Sequence, residues 1–382
     1  MSKLVFGVIG TSKKENELRM PIHPEHINRI PEQIRRRLIF EEGYGKPFDI
    51  TDNEIASQTG GIATRRELLS DLGKVIISKP ILTDFQELRE GGTLWGWCHC
   101  VQQKDITQVA IDRKLTLIAF EEMFAWKHDG HVGRHTFHMN NEFAGYCAVL
   151  HALQLKGISG HYGNQRKALI FSFGAVSHGA MYALKAHGFN EITICTQRPT
   201  HEVREGALDC NFFSFRKGIE GEPRMIVVDH KGIKKPLLDL ISEADIIVNG
   251  IFQDTEKPVN FITEEEISHL KPGSLIIDIS CDENMGFPFA KPTTFDEPMF
   301  KIGSVDYYAV DHTPSYLWES ATRLISEALV NFLPIVLAGR ESRLKNKTIR
   351  RAVEIDSGVV QKSKILSFQK RKKQYPHKII SV

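Results

Sequence analysis

The sequence predicts an α/β protein of two Rossmann-like domains, each a doubly wound, mostly parallel sheet, with a cleft between them. Three observations carry this prediction. Short apolar strands alternate with helical or polar segments along the 382 residues. A glycine-bearing strand–turn–helix stands in mid-chain, Lys167-Ala-Leu-Ile-Phe-Ser-Phe-Gly174-Ala-Val-Ser-His-Gly179-Ala180. A helix-length segment, Ser315 to Ala338, follows the last central strands and is long enough to return to the first domain, which is therefore expected to be discontinuous. The expected organisation is a substrate (catalytic) domain over 1–140 and 305–382, ending in a basic extension, around an NAD(P)-binding domain over 141–304. A chain of this length lets each domain bury its own core.

Taken in order, Leu4 to Ile9 is strand-like and Glu25 to Arg37 reads as helix. Val75 to Ile77, Thr93 to Trp97 and Leu115 to Phe120 look like further short strands, and Glu142 to Leu155 like an apolar helix leading into the central unit. Ala168 to Phe173 is the strand before the turn, and the helix after it covers roughly Gly179 to Ala186. Ile192 to Cys195, Met225 to Val228, Ile246 to Asn249 and Leu275 to Ile279 complete the strand pattern.

In the turn, Gly174 is expected to take a positive φ, and Gly179 to let helix and strand approach closely. The helix from about Gly179 would offer free N–H groups and a positive dipole end to a pyrophosphate, with Ala175, Val176 and Ser177 of the turn in the cofactor-binding set. Val176 stands where the middle glycine of G-x-G-x-x-G belongs, so the turn also suits a crossover that binds nothing. The next strand ends Thr196-Gln197-Arg198 with no carboxylate. Dinucleotide sites put an acid near this point for a ribose 2′-OH, or an Arg for a 2′-phosphate. NADPH is thus favoured and NAD remains possible; a merely solvated Arg198 fits as well. Asn249 and Gly250, closing another strand, complete the expected cofactor set.

Composition frames these motifs. With 41% hydrophobic and 25% charged residues, an ordinary globular chain is expected. The apolar start is too short for a signal peptide, and no stretch approaches the ~18 apolar residues of a membrane span. Cysteines at 98, 100, 147, 195, 210 and 281 give no disulfide framework, which fits a cytoplasmic location. The net charge of +2 is uneven: 13 Lys/Arg against 3 Asp/Glu from Arg340 to Val382 leave residues 1–339 at −8. Such a tail suits a packed extension, an acidic partner or the next subunit; without aromatic interleaving, nucleic acid is a poor fit.

Three polar residues end or follow early strands, where α/β folds present side chains to ligands. Arg19 lies in Glu15-Asn-Glu-Leu-Arg-Met-Pro-Ile-His-Pro24, Lys79 ends Val-Ile-Ile-Ser-Lys-Pro80, and His99 lies between Cys98 and Cys100. Arg and Lys suit a small carboxylate, and His is the natural proton carrier near neutral pH. In a strand the two cysteines point opposite to His99, which argues against a Cys–His nucleophile. His128, His131, His135 and His138 are close in sequence, yet Gly130 and Gly133 interrupt any helix and no acid or thiol completes a set, so no metal is expected.

Glu15 to Pro24, Ser78-Lys-Pro80, Cys98-His-Cys100, Gly174 to Ala180, Asp278-Ile-Ser-Cys-Asp-Glu-Asn-Met-Gly286 and Asp311-His-Thr-Pro-Ser-Tyr-Leu-Trp318 occur in register. They resemble the alanine dehydrogenase, transhydrogenase and saccharopine dehydrogenase superfamily over almost the whole chain. From Val248-Asn-Gly-Ile-Phe-Gln-Asp254 to Trp318 the chain is most similar to the N5-(carboxyethyl)ornithine synthases. The extension after about residue 345 is covered least well.

The resemblance implies an NADPH-dependent oxidoreductase acting on CH–NH donors. Pyruvate, as the 2-oxo acid, would condense reductively with the side-chain amine of ornithine or lysine. It also implies roles: Arg19 and Lys79 hold the oxo acid, His99 is the acid/base, Asp282 stands beside the nicotinamide, and Glu121 contacts the amino substrate. Arg134 is a further candidate for a substrate carboxylate. A homo-oligomer is implied too. Alternatives are a saccharopine dehydrogenase-like or alanine dehydrogenase-like NAD(P) enzyme, or a noncatalytic dinucleotide-binding protein.

Overall fold

The computed structural model describes residues 4–127, 129–251, 253 and 258–380, with backbone alone at residue 204. The chain forms two compact units, 1–138 with 317–382, and 139–316. The strands, in chain order, are β1 (Phe6–Ile9), β2 (Leu38–Glu41), β3 (Gly61–Ala63), β4 (Lys74–Ile77), β5 (Thr93–Gly96), β6 (Thr116–Ala119), β7 (Phe124–Trp126) and β8 (Val132–His135). The second unit contributes β9 (Lys167–Phe171), β10 (Glu191–Thr196), β11 (Asn211–Lys217), β12 (Met225–Asp229), β13 (Lys234–Pro236), β14 (Ile246–Asn249), β15 (Leu275–Asp278), β16 (Met299–Ile302) and β17 (Val305–Tyr308). The C-terminal segment adds β18 (Val353–Asp356) and β19 (Val359–Val360).

The first unit is an eight-stranded sheet of order β19-β18-β6-β5-β4-β1-β2-β3. β3, β2, β1, β4, β5 and β6 run parallel; β18 is antiparallel on β6 and β19 antiparallel on β18. The strands are apolar on both faces, so their buried residues divide between two cores: Phe6, Val8 and Ile76 face one, Ile9, Val75 and Ile77 the other. The stretch Glu25 to Arg37 is not one helix. Pro31 interrupts it, leaving a 3₁₀ turn at Pro24–Arg29 and one α-turn at Glu32–Arg35. The basic extension is woven into this sheet rather than left outside it.

The second unit is a nine-stranded sheet of order β13-β12-β11-β10-β9-β14-β15-β17-β16. Its centre, β11-β10-β9-β14-β15-β17, is parallel, and hairpin-like antiparallel pairs close both edges. β9 neighbours β10 on one side and β14 on the other, so the order reverses at β9, where parallel sheets bind ligands outside their strand ends. The unit extends past residue 304 because β17 is hydrogen-bonded along β15. Two helices bear on the argument below: α1 (His138–Lys156) and α2 (Ala175–Ala186). The segment expected as one helix over Ser315 to Ala338 is instead a 3₁₀ turn at Thr313–Leu317, then α3 (Trp318–Val330), then a short helix at Leu333–Leu337 after the non-helical step at Asn331–Phe332.

Candidate functional site

In the first unit, the candidate residues gather beyond the C-terminal ends of β4 and β5. Gly96, the last residue of β5, has no room for a side chain: a Cβ there would stand 1.9 Å from the Ile77 carbonyl oxygen. That close approach brings the two strand ends together. Lys79 Nζ lies 2.9 Å from His99 Nε2. For this contact to be a hydrogen bond donated by the ammonium, Nε2 must present its lone pair and the ring proton must sit on Nδ1.

His99 has φ +49°, a left-handed conformation uncommon outside glycine. The turn is clamped by Glu121, whose Oε1 accepts from the His99 backbone N–H and lies 4.0 Å from Nδ1 of the ring. Burial, and then the negative charge of Glu354, pushes the Glu121 carboxyl well above the usual carboxylate range, with Lys79 opposing. Cys98 and Cys100 on either side are buried, and burial raises the Cys98 thiol to about 11. Neither is primed as a nucleophile.

Arg19 reaches the same strand end, its guanidinium 5.2 Å above the Trp97 ring, two residues before His99. Its charge, however, is already answered. Glu17 accepts from Arg19 Nε at 2.8 Å and from Nη2 at 2.6 Å, and both residues are buried. The Nε–Nη2 edge of the fork is held by Glu17, which also fixes the loop through the Arg19 backbone N–H. Glu17 lies in the quoted Glu15–Pro24 segment, and its i−2 spacing to Arg19 was the available signal. Arg134, on the β7–β8 hairpin, is exposed with Nη1 3.4 Å from His138 Nε2. The hairpin joins the site through its neighbour His135, whose Nε2 meets the Glu121 carbonyl at 3.2 Å. His128 lies outside the described residues.

In the second unit, the candidate residues lie at the ends of β9, β10, β14 and β15. The positive φ expected of Gly174 belongs instead to Ser172, at φ +82°, while Gly174 is extended at φ −98°. Ser172 tolerates it because its N–H is bonded to the Cys195 carbonyl and its hydroxyl accepts from Gly174 N–H. Gly179 does permit a close approach, but to a helix rather than a strand: its Cβ would fall 1.7 Å from the Glu142 carbonyl oxygen on α1. Gly145 of α1 answers it, with a Cβ position 1.8 Å from the Val176 carbonyl. These two glycines lock α1 against α2.

Ser177 is buried and its hydroxyl donates to the Phe171 carbonyl, so only its backbone faces the turn. Helix geometry leaves the amides of Ala175, Val176 and Ser177 outside the helical ladder, which starts with His178 N–H to the Gly174 carbonyl. Gly250 packs beside them; a Cβ there would meet Ser177 Oγ at 2.6 Å. Free amides and a cradle walled by backbone fit a pyrophosphate.

Asn249 is wholly buried and turned inward, donating to Asp278 Oδ1 at 3.0 Å and accepting from Ile251 N–H. Its side chain therefore supports the strand ends rather than reaching a ligand. Asp278 also accepts from Tyr307 Oη at 2.7 Å and from the amides of Ser280 and Cys281; burial raises it to about 7. Asp282 is half-buried in the loop that these bonds hold. Thr196 accepts from Arg198 N–H, and Arg198 Nη2 reaches back 2.6 Å to the Phe173 carbonyl, spanning the turn, while Gln197 is exposed.

The Alanine dehydrogenase/PNT, N-terminal domain family model matches residues 8–131, and the Alanine dehydrogenase/PNT, C-terminal domain model matches 200–363. An N(5)-(carboxyethyl)ornithine synthase from Clostridium botulinum is 25% identical over 332 residues, covering 82% of this chain and 89% of that protein. An alanine dehydrogenase from Mycolicibacterium smegmatis is 21% identical over 329 residues, covering 85% of each. Among solved structures, an L-alanine dehydrogenase superposes with a TM-score of 0.74 at 13% identity, covering 94% of this chain and 98% of that one. A transhydrogenase from Sinorhizobium meliloti gives 0.68 at 16% identity, covering 93% and 99%.

Proposed function

The chain belongs to the alanine dehydrogenase/PNT family, and from that premise we propose that it is an NADPH-dependent oxidoreductase of opine type. It would condense a 2-oxo acid, pyruvate first among candidates, with the side-chain amine of an amino acid such as ornithine or lysine. The Lys79–His99 contact at 2.9 Å, backed by Glu121, carries the reading. A cation that can hold a carboxylate stands against a base that can move a proton, which is what carbonyl–amine condensation needs.

A bound NADPH would supply the hydride and nothing else. The amides of Ala175 to Ser177 bind its pyrophosphate, and Arg198 answers a 2′-phosphate. Lys79 and Arg19 take the oxo acid's carboxylate. As Lys79 turns to that anion it leaves His99 Nε2, which accepts the proton released when the amine adds to the carbonyl. That proton returns to the carbonyl oxygen as the carbinolamine hydroxyl forms, and a second proton, taken from solvent through the same imidazole, lets the hydroxyl leave as water. Asp282 steadies the resulting iminium charge. Glu121 orients His99 and the amino substrate.

NADPH consumption is the test, followed with pyruvate, 2-oxoglutarate and glyoxylate each crossed with ornithine, lysine and ammonia. Oxidation with pyruvate and a diamine supports the proposal; no oxidation with any pair overturns it. One observation favours a second reading. Arg198 is tied to Phe173, so an alanine dehydrogenase-like enzyme using NADH and ammonia is the competing arm of the same assay.

A further inference from the structure

The C-terminal segment places a carboxylate behind the acid/base centre. β18 joins β6 with a register irregularity: Val353 opposes Ile118 but Ile355 opposes Leu117, so the residue between them, Glu354, has no partner of its own in the ladder. Glu354 is 1% exposed, its Oε2 has no hydrogen-bond partner, and its carboxylate lies against the Cys100 thiol. Glu121 Oε2 is likewise buried without a partner. A second tie joins the same segment to the same turn: Lys362 Nζ lies 2.5 Å from Glu122 Oε2. Such burial of two carboxyls, each with an orphan oxygen, is costly unless protons are retained.

We propose that Glu354 is a positioning residue for the reaction proposed above, acting through Glu121: buried on β18 against Cys100, beside the turn that carries His99, it sets the charge that Glu121 presents to His99. The groups facing this pair are Lys79, His99, Cys98, Cys100, Glu122, His135 and Lys362. Both carboxyls are raised by burial, and each disfavours the other's charge. With Glu354 present, Glu121 stays protonated to higher pH, and His99 faces a neutral acid. Without it, Glu121 ionises earlier and its Oε1, 4.0 Å from Nδ1, favours the imidazolium.

This gives a sign that simple charge removal does not. Deleting a nearby anion ordinarily lowers a histidine's titration midpoint; here Glu354→Gln should raise that of His99, by about half to one pH unit. The imidazole is followed by NMR in the full chain with labelled histidine, His99 being assigned by its loss in His99→Gln. Glu354→Leu, which also removes the charge, should give the same upward shift. Glu121→Gln should abolish the effect of adding Glu354→Gln. A downward shift, or none, in the folded variants overturns the proposal. The titration needs no substrate, so failure of the function proposed above would leave this result standing, and the reverse holds too.

Discussion

Replacing Gly179 by Ala should destabilise the second unit although alanine is the better helix former. The new Cβ would stand 1.7 Å from the Glu142 carbonyl oxygen and 2.9 Å from Tyr146 N, both backbone of α1, whereas ordinary contact begins at 3.4 Å. Backbone cannot rotate aside, so α1 and α2 must part by more than an ångström. Overpacking of this kind costs ~1–3 kcal/mol, and a rigid obstacle puts the cost at the upper end. The helix-propensity gain returns about 1 kcal/mol, leaving a net loss of ~2 kcal/mol. For a unit of this size that lowers Tm by roughly 4–8 °C. Because α2 carries the amides of Ala175 to Ser177, NADPH affinity should fall as well. Gly174→Ala is the control. Its nearest heavy atom would be Ser172 Oγ at 3.5 Å and its φ is −98°, so Tm should move by the equivalent of ~0.5 kcal/mol or less. Nucleotide affinity should still drop, since the methyl enters the phosphate's approach. Thermal unfolding and calorimetric titration with NADPH measure both effects. A Gly179→Ala variant as stable as the parent, or a Gly174→Ala variant equally damaged, would refute the helix-lock reasoning.

Three further predictions rest on other observations. His99→Gln should cut turnover by orders of magnitude with NADPH affinity nearly intact; surviving turnover removes the acid/base role. Arg198→Ala should lower the ratio of NADPH to NADH efficiency, and an unchanged ratio removes the 2′-phosphate role. Burial, aided by Arg323 at His23 and by Arg29 at His26, holds both histidines below the ordinary value of 6.5. Each takes up a proton more readily once unfolded, so their contribution is complete above that value and is lost as pH falls below it. Tm of the first unit should decline on acidification below pH 6.5, and less steeply in His26→Gln; parallel curves would exclude the linkage.

The strands β4 and β5 and the positions of Lys79 and His99 were legible because buried parallel strands read as apolar runs, and the residues after each run fall beyond the strand's C-terminal end. The helical segments were less so. Pro31 was visible in Glu25 to Arg37, and Pro334 just beyond the break at Asn331–Phe332, yet the apolar pattern outweighed both. Gly174 and Gly179 were both recognised, but their reasons were exchanged with those of neighbours. Ser172 bears the positive φ because two hydrogen bonds hold it there, and Gly179 answers a helix that begins some forty residues earlier. No local pattern encodes contacts of that separation.

The least legible part is the C-terminal segment, whose surplus of positive charge drew attention to its surface and away from its few acids. Its cations are mostly exposed, as a solvated face requires, but Glu354 is among the most buried carboxylates in the chain. An isolated acid in a basic stretch carries no periodic signal; only its burial on β18, against Cys100, shows that it faces inward. Removing this segment would therefore strip the first sheet of its edge and at the same time change the charge beside His99. Stability and pH response are coupled through β18, and substitutions at Glu354 separate them because they leave the strand in place.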